Sequence, residues 1–97
     1  MEVTFDAELY PWEAATSWVF VTVPADESDA IDDATALTGG FGSVKVNVTI
    51  GDTHWGTSLF PSKQEEAYVL PIKKAVRAAE GIDIGDTATI TVQLVHV

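Results

Sequence analysis

The stretch VKVNVTIGDTHWGTSLF, residues 44–60, leaves a folding chain little choice. Val44, Val46, Val48 and Ile50 fall on one phase of a period-two pattern and Lys45, Asn47 and Thr49 on the other, as in a strand with one face buried and one in water. Gly51-Asp52 then supplies a two-residue turn of the Gly-X type, and THWGTSLF returns antiparallel. The spacing predicts a hairpin whose return strand is closed by Pro61.

The flanking segments extend the same theme. Val3, Phe5, Ala7 and Leu9 alternate with Thr4, Asp6 and Glu8, which predicts a first strand ended by Pro11. WVFVTV, residues 18–23, is apolar on both phases, the pattern of a strand buried on two sides, with Trp18 and Trp55 in the core and Trp12 exposed. Pro24 stops that strand, and Ile31, Ala34 and Leu37 recur at helical spacing with an N-cap at Asp26 or Ser28 and a stop at Gly39. AYVLPI reads as a short strand ending near Pro71. In the helix that follows, Ile72, Ala75, Val76 and Ala79 share an arc of about 100°, with Lys73 and Arg77 on a flanking face. Gly81 stops this helix, and TATITVQLVHV forms the last strand.

Strand, strand, helix, hairpin, strand, helix, strand is not a βαβ alternation. It fits an all-β, mainly antiparallel barrel of six to seven strands with two short helices, a closed or nearly closed sheet that hides strand edges. Ninety-seven residues make one domain, 1–97, able to bury roughly 60 to 65% of its unfolded surface. No apolar run reaches the roughly 18 residues of a membrane span, and MEVTFDAELY lacks a signal core, so the expected location is the cytoplasm. There is no Cys, hence no disulfide and no thiolate chemistry.

Fifteen acids against five cations give a net charge of −10, which repels nucleic acid and anionic membranes and excludes both as expected partners. The exception is residues 63–77, where Lys63, Lys73, Lys74 and Arg77 outweigh Glu65 and Glu66.

LYPWEAATSWVFVTVPADES, GSVKVNVTIGDTHWGTSLFP and AYVLPIKKAVRAAEGIDIGDTATITVQL together resemble the DUF1905 family, small prokaryotic proteins catalogued as a domain of unknown function. The resemblance implies a compact β-barrel, found alone or ahead of a helical segment of the YdeI or OmpD-associated type. It implies no activity. This chain closes on its last strand, so that helical segment is not expected here. LPIKKAVRAAEGIDIGDTATITV is also similar to the AbrB and MazE swapped-hairpin barrels, which implies a comparable barrel within one subunit, without their DNA binding.

The net-positive segment suggests a site for an anionic small molecule or an acidic protein segment, with Lys73, Arg77 and Lys45 as contacts and Arg77 offering a bidentate fork. The alternative is a solvated helix face with Arg77 paired to Asp83 or Asp86. An enzyme with a barrel-end pocket near Trp55 and Tyr68 is the second reading. The GGFG run, residues 39–42, precedes a strand rather than a helix and so is not a phosphate loop. The acids between Asp26 and Asp33 lack a calcium-loop pattern, and His54 and His96 are far apart. Ser58 and Ser62 have no nucleophile context. No catalytic residue, metal or cofactor is expected. A non-catalytic binding or interaction module, monomeric or dimeric, is the expected class.

Overall fold

A computed structural model describes residues 1–12, 15–35 and 42–95. The elements are β1 (Glu2–Glu8), β2 (Tyr10–Trp12), β3 (Ala15–Thr22), α1 (Ala25–Thr35), β4 (Val44–Ile50), β5 (Thr53–Ser62), β6 (Ala67–Pro71), α2 (Lys74–Glu80) and β7 (Thr87–Leu94). All seven strands join one antiparallel sheet in the order β1-β7-β4-β5-β6-β3-β2. The first and last strands of that order, β1 and β2, are separated in the chain by Leu9 alone. The sheet therefore curls into the half-barrel that its alternating strands call for.

Two bends make this curl. At Leu9 the backbone leaves the β1–β7 ladder but keeps both its polar groups paired, donating to the Asp86 carbonyl at 2.9 Å and accepting from Gly85 N–H at 2.9 Å. In β5, Thr53–Leu59 pair with β4, whereas Phe60–Ser62 pair with β6. Pro11 and Pro61 lie inside these bends, in β2 and β5. The expectation that each ends its strand is thus corrected. A proline is tolerated where a ladder shifts partner or register, because its missing N–H is then not required, and the β2–β3 register does shift between Pro11 and Trp12.

The concave side is filled. Leu9, Val21, Val23, Ile31, Leu59 and Leu70 are wholly buried there with the valines of β4 and with Ile90 and Val92 of β7, each such side chain contributing about 1.5–3 kcal/mol by leaving water. The hairpin matches its expected register, Ile50 opposite Thr53 across Gly51-Asp52, and Gly51 takes the positive φ of +56° that the turn requires.

α1 begins two residues earlier than an Asp26 cap implies, since Ser28 N–H already closes on the Pro24 carbonyl at 2.8 Å. Ser28 is not a cap but a buried link: its hydroxyl donates to the Val23 carbonyl at 3.0 Å and accepts from Tyr68 N–H at 3.1 Å. Leu37, Gly39 and His96 lie outside the described residues. In α2, Val76 is buried with Ile72, whereas Ala75 and Ala79 face solvent. The helix is rolled relative to the expected arc, so that Arg77 and Glu80 occupy its half-buried flank. Gly81 ends it at φ +64°, and the N–H of Ile82 reaches back to the Arg77 carbonyl at 3.0 Å.

Candidate functional site

Of the five residues expected to form a site, Lys73 and Arg77 share α2 and its N-cap, while Lys45, Trp55 and Tyr68 stand on β4, β5 and β6. Lys45 stands exposed on the outer face of β4, while Trp55, opposite Val48, packs part-buried against the core. Tyr68 is buried on β6, with its hydroxyl donating to Asp32 Oδ1 of α1 at 3.3 Å. Burial raises its pKa above the ordinary value, and the Asp32 charge adds to this against a hydrogen bond from Thr35. Lys73 is exposed at the start of α2. Arg77 turns inward, donating from Nε to the Ile72 carbonyl at 3.1 Å and pairing with exposed Asp83 at 3.7 Å. Its guanidinium fastens the helix to its own leading turn.

A different surface is built like a binding site. In antiparallel pairs, directly opposed residues share a face. Tyr10 opposes Phe20, Thr22 opposes Val69, and Val69 opposes Phe60, so this row, with Trp18 two residues before Phe20, lies on the convex side. Trp18 retains 59% of its surface, Trp12 50% and Phe60 44%. The placement of Trp18 in the core is therefore corrected: β3 buries Val19 and Val21 inside and turns its aromatics outward.

Phe20 is held between the two tryptophans, its centroid 5.4 Å from Trp12 in a tilted pair and 6.2 Å from Trp18 in a near-parallel stack at 18°. Such pairs contribute about 0.5–1.5 kcal/mol each beyond area burial, and they fix the rings as walls. Trp12, Trp18, Phe20, Phe60, Pro61 and Val69 line a groove of about 310 Å³. Trp12, Val69 and Ser62 also line an adjoining pocket of about 170 Å³ that runs on to Tyr10, Gln64 and Glu65.

The far end of that pocket is polar. Tyr10 Oη lies 2.9 Å from Thr22 Oγ1, which donates to Glu65 Oε1 at 3.3 Å. Burial raises the Tyr10 pKa, Glu65 raises it further, and the Thr22 bond opposes both, so the phenol stays protonated at neutral pH. The sequence did carry a signal for this face, the double-phase apolarity of WVFVTV, but it reads equally as burial on both sides.

Among the described residues no three of His, Asp and Glu are grouped as metal ligands would be, and no helix is long and apolar enough to cross a membrane. Curated proteins give no match to this chain. The sequence model of one family, DUF1905, a domain of unknown function, matches residues 5–92. A curled antiparallel half-barrel with two short helices is thus the form of this member: the chain belongs to the DUF1905 family.

Proposed function

We propose that the domain is a non-catalytic binding module, that its site is the outer aromatic groove, and that the occupant is a basic, apolar peptide segment of a partner protein. The observation that carries this reading is the groove between Trp12, Trp18 and Phe60, three large aromatic side chains left about half exposed around a buried Phe20. Rigid aromatic walls give contact area at little entropic cost, and exposed apolar concavities of this kind mark interaction sites. The sign of the partner follows from charge: the chain carries −10, and Glu65 stands at the polar end of the pocket that adjoins the groove. A cationic segment is attracted, and nucleic acid or an anionic membrane is repelled. A cytoplasmic setting is part of the same proposal.

The anionic-ligand reading has less support, because Arg77 is engaged with Ile72 and Asp83 and Lys45 sits on another element. The enzyme reading is weakened because Tyr68 lines a shallow cavity with Asp32 and Lys63, to which Trp55 does not contribute.

The test is a synthetic array of twelve-residue peptides spanning charge and hydropathy, probed with wild type and with Trp18→Ser and Phe60→Ser. Basic, apolar peptides are expected to bind wild type and to be lost in both variants. Equal binding by wild type and variants overturns the reading, as does preference for acidic peptides. Light scattering at several concentrations covers the remaining occupant: a dimer abolished by Trp18→Ser assigns the groove to a second copy instead.

A further inference from the structure

We infer that the pocket continuing from the aromatic groove is a cation subsite, which takes the ammonium or guanidinium head of a lysine or arginine side chain while the groove takes its apolar neighbours. The inference rests on the groove being the binding site, and it adds what selects the ligand. A threonine hydroxyl has one hydrogen, and that of Thr22 is given to Glu65 Oε1. The 2.9 Å contact between Tyr10 and Thr22 must then be donated by the phenol. The chain of bonds runs Tyr10 to Thr22 to Glu65, and it uses every hydroxyl hydrogen in the set.

On these three groups what remains for a ligand is acceptors, the lone pairs of Tyr10 Oη and the second oxygen of the Glu65 carboxylate, while the donors of the pocket are the Ser62 hydroxyl and the Gln64 amide. A carboxylate entering beside Glu65 meets a like charge and no donor from Tyr10 or Thr22, whereas an ammonium brings three hydrogens and a guanidinium five to these acceptors. Trp12, shared by groove and pocket, adds a ring face on the approach, and indole is the best of the aromatic faces for a cation. On its other side Tyr10 borders a shallow concavity walled by Asp6 and Glu8, which deepens the negative potential at the same point.

The experiment is a heteronuclear NMR titration of the whole domain with two probes of matched shape, phenethylammonium and phenethyl alcohol, read at the indole N–H signals of Trp12 and Trp18. Wild type is expected to bind the ammonium about fivefold tighter than the alcohol. Glu65→Gln is expected to abolish that preference by weakening the ammonium; Glu65 is exposed on a turn, so the fold is retained. Equal affinity of wild type for the two probes, or a preference that survives Glu65→Gln, overturns the cation subsite and leaves the groove standing. If neither probe moves the Trp12 and Trp18 signals, groove and subsite fall together.

Discussion

The hydroxyl of Thr53, the first residue of β5, donates to Oε2 of Glu80, the last residue of α2. A glutamate at a helix C-terminus opposes the helix dipole at a cost of about 0.3–1 kcal/mol, and this bond offsets it. The carboxylate lies over the hairpin turn, where a β-carbon on Gly51 would collide with it. Thr53→Val is therefore expected to destabilise by about 1 kcal/mol. Gly51→Ala is expected to cost about 1–2 kcal/mol, from its positive φ and from displacement of Glu80. Urea denaturation of both variants and of the double mutant checks this, since sites that share Glu80 must give less than the sum of the two losses.

Both tyrosines of the chain titrate late. Burial is the main cause in each, and it raises both phenols above the ordinary value of 10.0. Folding therefore favours the protonated phenols: their stabilisation is intact below about pH 10 and is lost as pH rises through the folded values. The tyrosinate absorbance should rise with a midpoint above the ordinary value of 10.0 in the folded protein, with stability falling over the same range. Tyr68→Phe is expected to make that fall shallower. A normal midpoint for either phenol contradicts its burial.

Arg77 of α2 and Lys73 at its N-cap are expected to separate into one cation that holds the helix and one that does not. Arg77→Ala removes the bond to the Ile72 carbonyl and the packing of its stem, for a loss of about 1 kcal/mol. Lys73→Ala should fall within about 0.5 kcal/mol of wild type. Asp83→Asn should do the same, because a pair at 3.7 Å with so exposed a partner is screened by water. Thermal unfolding of the three variants checks the order.

How far this was legible from sequence depended on what each residue's pattern can report. Val44 to Ile50 and Ala88 to Leu94 have one apolar phase and one polar, so their inner faces followed at once. Trp18 and Phe20 sit on a strand with two apolar phases, and composition cannot distinguish a face covered by the fold from one left open. The groove is not legible in the sequence for that reason. Pro11 and Pro61 have the pattern of strand stops because a proline gives up a ladder hydrogen bond, but the chain bends at these places and does not need it. On α2, Ala75 and Ala79 have too little side chain to set the roll of the helix, and the contacts of Arg77 and Glu80 set it instead.

Core and groove should respond differently to truncation. Leu70→Ala, at a wholly buried position, is expected to cost about 2–5 kcal/mol. Trp18→Ser should cost no more than about 1 kcal/mol, the worth of its stack on Phe20. A large loss at Trp18, measured by urea denaturation, would make the aromatic face part of the fold's own scaffold.

The pairing of β1 with β7 places Glu2 beside Gln93, and Leu94 N–H bonds the Met1 carbonyl at 2.9 Å. The chain therefore enters and leaves the sheet at one spot. This gives the domain the geometry of a cassette: spliced into an exposed loop of a host protein, it would occupy two adjacent attachment points without prying the host apart. The same adjacency allows the two ends to be joined by a short linker and new ends cut at the Gly51-Asp52 turn, with the aromatic groove left untouched.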